Sequence, residues 1–125
     1  MEEMQKSFEE LLTAAEQGDA EAQFALGKKY AKGDGIDQDE REAVKWYHKA
    51  AEQGNASAQN NLGVMYSDGE GVEQDFKKGV ELYTKAAEQG DVKAQFNLAR
   101  MYATGRGVEK DEAEAFQWFQ KAAEQ

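Results

Sequence analysis

The string Ala-Ala-Glu-Gln begins at Ala14, Ala50, Ala86 and Ala122, each 36 residues after the last, and no gap is needed to hold the register. A fixed internal period is the signature of a repeat array and decides the architecture before any local reading does. Three full units follow, 14–49, 50–85 and 86–121. Thirteen of their 36 positions agree in all three: the Ala-Ala-Glu-Gln-Gly block, then Ala22, Gln23, Leu26, Tyr30, Gly33, Gly35, Asp39 and Lys49 with their counterparts. Like units at like spacing stack, so the shared side chains are expected to serve cohesion and the unshared ones to be free for recognition.

Each unit reads as two helices. The first opens after Asp19, Asn55 or Asp91, residues whose side chains accept an unpaired backbone N–H at a helix start. The Gly before each suits the left-handed residue that ends the preceding helix. Ala22, Leu26 and Tyr30 then fall at i, i+4 and i+8 and form one helical stripe. The second helix opens after Asp39, Asp75 or Asp111. Its apolar set, Ala43, Val44, Trp46, Tyr47, Ala50 and Ala51 in the first unit, is wider than one buried face requires. It fits a helix packed on two sides. Between the helices, Gly33-Asp34-Gly35-Ile36 and its counterparts supply two positions open to positive φ. Residues 1–13 align with the second half of a unit, Phe8 with Val44 and Leu11 with Tyr47, and are expected to form a leading helix. Residues 122–125 read as the start of a truncated next unit. The expected fold is all-α: a solenoid of helix-turn-helix repeats with about seven helices.

The residues Ala22, Leu26, Gly27, Tyr30, Gly33, Gly35, Ile36, Asp39, Ala43, Trp46, Tyr47, Ala50, Ala51 and Gly54 carry a pattern that resembles the Sel1-like repeat, a relative of the tetratricopeptide repeat. The resemblance covers essentially the whole chain and recurs three times. It implies a right-handed α/α superhelix that binds protein partners. Ala99 departs from the pattern where the repeat has Gly, Gly79 where it has Ala, and Leu82 where it has Trp. Cysteine-rich bacterial members staple each unit with a disulfide; this chain has no Cys. Some of those relatives are linked to β-lactam chemistry, which is marked by Ser-x-x-Lys. None of Ser7, Ser57 and Ser67 is followed by Lys three positions on.

The formal net charge is −10. That balance opposes nucleic-acid binding, which needs cations to displace the counterions of phosphate. It equally opposes attraction to anionic membranes, and no apolar run approaches a bilayer span. The N-terminal residues Met1 to Gln5 lack the apolar core of a signal peptide, which leaves the bacterial cytoplasm, or secretion with the signal removed, both open. One His and no Cys cannot build a usual zinc site. His48 aligns with Thr84 and Gln120 and reads as a surface residue. The Gly-x-Gly loops follow helices rather than strands and carry Asp34, Asp37, Glu70 and Glu73, so they do not read as phosphate loops. They also lack the ligand spacing of an EF-hand. No cofactor, no metal and no catalytic constellation is expected.

Resemblance to tetratricopeptide domains implies that the first helices line the concave face. The candidate peptide-binding residues are Phe24, Lys28, Asn60, Asn61, Val64, Lys93, Phe96, Asn97 and Arg100. These positions differ between repeats. The three first helices carry Lys28, Lys29, Lys32, Lys93 and Arg100 against Glu21 and Asp68, a net +3 within an acidic chain. Such a lining focuses an anionic ligand into the groove. Lys28, Asn61, Lys93, Asn97 and Arg100 are the expected clamp for a carboxylate or acidic peptide segment, by charge-assisted hydrogen bonds. The function expected is a non-catalytic protein-interaction scaffold. The alternatives are a structural part of a longer array and self-association, as a homodimer, through the C-terminal helix, where Phe116, Trp118 and Phe119 lack cover.

Overall fold

Six of the seven helices of the described residues open on an acidic or amide cap. The computed structural model describes residues 2–125, with side chains from Lys6 onward; Met1, the first residue of the expected leading helix, lies outside the described residues. The helices are α1 (Glu2–Glu16), α2 (Ala20–Lys32), α3 (Glu40–Glu52), α4 (Ala56–Asp68), α5 (Phe76–Glu88), α6 (Val92–Thr104) and α7 (Glu112–Ala123). Asp19, Asp39, Asn55, Asp75, Asp91 and Asp111 each accept from the backbone N–H three residues on, at 2.8–3.1 Å. Each of α2, α4 and α6 closes on a left-handed Gly, at Gly33, Gly69 and Gly105, all with φ near 70°. The first helices open directly after Asp19, Asn55 and Asp91, as expected. The leading helix runs past residue 13 to Glu16, because Ala14 and Ala15 belong to the second-helix stripe just as Ala50 and Ala51 do.

Helices pack with their sequence neighbours, α2 on α3, α4 on α5 and α6 on α7 within repeats, and α1 on α2, α3 on α4 and α5 on α6 between them. Leu26, Leu62 and Leu98 are the largest fully buried side chains, one per repeat. Around them the core divides along the array, with Trp46 and Ala15 at the first seam, Tyr47 and Leu82 in the middle, and Tyr83 and Met101 at the last. The shared glutamines are also buried. Gln23, Gln59 and Gln95 donate to the carbonyls of Ala15, Ala51 and Ala87 in the last turn of the preceding helix, each of which also accepts from the Gly three residues on. Their own amide oxygens accept from Gln53, Gln89 and Gln125 at 2.8–2.9 Å. A relay of amides therefore stitches each repeat to the next, and it accounts for two of the shared positions.

The Trp118 indole N–H donates to Glu114, one turn earlier, whereas the buried Trp46 indole N–H has no partner although Glu42 stands one turn before it. Leu82 takes the Trp place in the middle repeat, buried at 6 % exposure, and nothing in the structure explains that exchange. Gly79 faces Ser67, where the other repeats pair Ala with Ala. A methyl at Gly79 would run into the Ser67 Oγ, which is buried and has no hydrogen-bond partner. Gly79→Ala alone is expected to destabilise by about 1 kcal/mol, since the clash outweighs a helix-propensity gain of about 1 kcal/mol. Beside Ser67→Ala the same change is expected to stabilise by about 1 kcal/mol. Urea denaturation of the four proteins of this cycle measures the coupling directly.

Candidate functional site

Three cavities adjoin on the face built by α4 and α6. A cleft of about 680 Å³ is lined by Asn60, Val64, Val92, Lys93, Phe96, Asn97, Phe119, Ala122 and Ala123. A pocket of about 230 Å³, sharing Val64 and Asn97 with the cleft, opens at the seam of the second and third repeats. A third, of about 190 Å³, lies at the seam of the first and second repeats and again shares Val64. Val64 is thus the common wall of all three.

Seven of the nine expected residues line these cavities: Asn60, Asn61, Val64, Lys93, Phe96, Asn97 and Arg100. Phe24 and Lys28 do not. Phe24 is half-buried against Tyr47, ring centroids 6.0 Å apart, and the Lys28 ammonium lies 4.9 Å above the Phe24 ring. They adjoin the cavities only through Tyr47, a wall of the third pocket. Asn60 is 4 % exposed, far less than a free contact residue would be. Its amide oxygen accepts from Asn97 at 3.0 Å, so these two side chains brace α4 against α6. Asn61 donates to the Tyr47 hydroxyl at 3.4 Å. Of the clamp set, Lys93 and Arg100 are exposed and make no ion pair within 4.0 Å among the described residues.

The apolar character of the large cleft follows from Ala99. A Cβ on Gly27 or Gly63 would stand 2.6 Å or 2.8 Å from ring carbons of Tyr47 or Tyr83, which lie directly over those glycines. Ala99 carries that Cβ, so the Phe119 ring cannot take the equivalent place. It turns toward Phe96 instead, edge-on with centroids 5.4 Å apart. Phe119 is half-buried, whereas Tyr47 and Tyr83 are buried. The sequence showed the departure at Ala99; its effect depends on where a ring on another helix lies, which no spacing rule supplies.

His48 differs from its expected surface position. It is half-buried, and its Nε2 lies 2.8 Å from the Tyr66 hydroxyl. Burial lowers its pKa, Lys78 lowers it further, and Glu52 opposes both. The folded state therefore binds the His48 proton less readily than the unfolded chain. Its contribution to stability is full above about pH 6.5 and is lost as pH falls below that toward the folded value. Between pH 7.5 and pH 5.5 the urea midpoint of the native chain is expected to fall more than that of His48→Gln. Gln is the residue that the third repeat carries at this position.

No group of His, Asp or Glu among the described residues is arranged to hold a metal ion. No helix among them is long and apolar enough to cross a membrane.

The Sel1 repeat family model matches residues 20–55, 56–91 and 92–125. The chain belongs to the Sel1 repeat family. Its matched units begin at the first residue of each first helix, directly after the caps Asp19, Asn55 and Asp91, six residues after the start of each Ala-Ala-Glu-Gln string. No match was found among curated proteins. Among solved structures, the chain is similar to a protective antigen of uropathogenic Escherichia coli with an SLR fold. The two share 45 % identity at a TM-score of 0.90, over 91 % of this chain and 24 % of the antigen. It is similar to a Sel1 repeat protein of Oxalobacter formigenes at 38 % identity and a TM-score of 0.87, over 95 % of this chain and 49 % of the other. The Helicobacter pylori cysteine rich protein B shares the fold at 24 % identity and a TM-score of 0.74, over 98 % of this chain and 87 % of the other. The chain thus spans about a quarter and about half of the first two relatives. Sel1 repeats are helical solenoids that generally mediate protein–protein interactions, and the family is typically a non-catalytic scaffold.

Proposed function

We propose that the face of α4 and α6 binds an extended peptide segment of a partner protein. An apolar side chain of that segment enters the cleft beside Phe96 and Phe119, and a carboxylate meets Lys93 and Arg100. The observation that carries this reading is the cleft itself: about 680 Å³, walled by Val64, Val92, Phe96 and Phe119, with Lys93 at its edge. Phe96 is 49 % exposed, a large apolar surface left in water, whereas Phe24 at the equivalent position of the first repeat is half-buried against Tyr47. A concave apolar site with a few placed polar groups is the usual form of a ligand site. The test is calorimetric titration with synthetic peptides that carry Leu or Phe beside Asp or Glu. Phe96→Ala and Arg100→Ala are each expected to weaken binding about tenfold, in the range of one lost anchor or charge-assisted contact. Equal affinity for all three proteins, or no binding by the native chain, removes the reading.

One observation favours a second contact surface. Phe116 on α7 is 66 % exposed, whereas Val44 and Val80 at the equivalent positions are 8 % and 7 % exposed. Self-association through α7 would cover it. Light scattering across a wide concentration range tests this, and a monomer throughout argues against it.

A further inference from the structure

The two seam pockets are the same pocket one repeat apart, with the charge reversed. Tyr47, Asn61 and Met65 line the first, and Tyr83, Asn97 and Met101, each 36 residues on, line the second. Around this common frame seven positions change: Lys28 becomes Val64, Lys32 becomes Asp68, Asp68 becomes Thr104, and four more alter the walls. Ala31 becomes Ser67, Glu40 becomes Phe76, Val64 becomes Arg100 and Glu70 becomes Arg106. The first pocket presents two carboxylates and no cation. Burial, with Asp68 and Glu40 nearby, raises the Glu70 pKa, as expected for crowded acids lacking a cationic partner. The second pocket presents Arg100 and Arg106, with Asp68 at the same rim. Arg106 is held 5.6 Å over the Phe76 ring, which the exchange of Glu for Phe provides. None of Glu40, Glu70, Arg100 and Arg106 makes an ion pair within 4.0 Å among the described residues.

Repeat arrays ordinarily keep what the core needs and vary what it does not. Here the frame is kept while Glu40 and Glu70 give way to Phe76 and Arg106 and Val64 gives way to Arg100, which turns the walls from acidic to basic, with Asp68 in place of Lys32 at the rim. We propose that the pair of pockets reads charge order along a bound peptide. An acidic side chain enters the pocket of Arg100 and Arg106, a basic side chain enters the pocket of Glu40 and Glu70, and a short apolar stretch between them crosses Val64. The proposal rests on the peptide-binding reading above and adds to it the chemistry and polarity of the segment bound. Opposite charges in adjoining pockets also exclude wrong partners, since a reversed segment would set like charges against each other.

The test selects binders from a displayed library of random nonapeptides on four proteins: the native chain, Arg100→Glu/Arg106→Glu, Glu40→Lys/Glu70→Lys, and the chain with all four changes. Native-chain binders are expected to pair Asp or Glu with Lys or Arg at a fixed spacing. The first variant is expected to bind those peptides about tenfold or more weakly, the scale of one lost charge-assisted contact, and to select basic residues at both positions. The second is expected to select acidic residues at both. The fourfold variant is expected to select the same pair in reversed order. The milder Arg100→Gln/Arg106→Gln loses the acidic preference without acquiring the opposite one. Binders of one apolar pattern on all these proteins, with no shift in charge, overturn the proposal and leave peptide binding standing. No binders on the native chain overturn both.

Discussion

Gly71→Ala is expected to destabilise the chain by about 3 kcal/mol or more, measured by urea denaturation, although the position is a loop residue. Two costs combine. Gly71 sits at φ +71°, where a Cβ costs roughly 1–2 kcal/mol. A Cβ there would also stand 2.5 Å from the Glu40 carbonyl oxygen and 2.9 Å from the Glu40 Cβ. Glu40 opens α3 of the preceding repeat, so relief requires the loop and that helix to separate, a cost of about 1–3 kcal/mol more. Gly107 stands in the same relation to the backbone of Phe76. The second glycine of each of these two loops is therefore an inter-repeat contact as well as a turn residue. Gly90→Ala is the control. Its φ is +92°, yet nothing lies within 4 Å of the added carbon. Only the backbone cost of about 1–2 kcal/mol applies there. The difference between the two variants isolates the seam. Equal costs would show that the loop does not hold the repeats together.

Leu62→Ala is expected to cost about 3–4 kcal/mol, in the range measured for fully buried leucines. Leu62 has no exposed surface and stands in the middle repeat, among Tyr47, Met65 and Leu82. Small domains have about 5–15 kcal/mol of stability in all, so one substitution removes a large share. Position matters beyond the energy. Each repeat touches only its neighbours, so a weak middle unit uncouples the two ends. The urea transition is expected to broaden, with a lower slope, rather than only to shift. Leu98→Ala, in the last repeat, is expected to fray that end and leave the slope nearer the native one. A shift without broadening at Leu62 would contradict the nearest-neighbour picture.

Much of this architecture is legible in the sequence because a period fixes a register. Once Ala50 follows Ala14 by 36 residues, every cap, stripe and left-handed glycine is placed three times over, and the ranges of α2, α4 and α6 follow to the residue. The second-helix aromatics Trp46, Tyr47 and Tyr83 are core, as their recurrence suggests, whereas Trp118 and Phe119, read the same way, are only half-buried. The site is less legible, since it depends on contacts between units. Asn60 looks like a free polar residue until its oxygen is seen to accept from Asn97, 37 residues on. His48 looks solvated until Tyr66 is found beside it. Ala99 is a single methyl in the sequence, and it opens a cleft because of a ring on α7. The reversed charge of the two seam pockets was present in the 36-residue alignment all along. It becomes visible only when Glu70 and Arg106 are known to face the same frame as Tyr47 and Tyr83.

The central claim is that positions common to the repeats hold them together while differing positions on α4 and α6 contact the partner. Amide chemical-shift mapping tests it most directly, with a labelled chain titrated by an apolar-acidic peptide. The account expects the largest changes at Asn61, Val64, Phe96, Asn97 and Arg100. Changes confined to α3 and α5, or none at any peptide concentration, would contradict it.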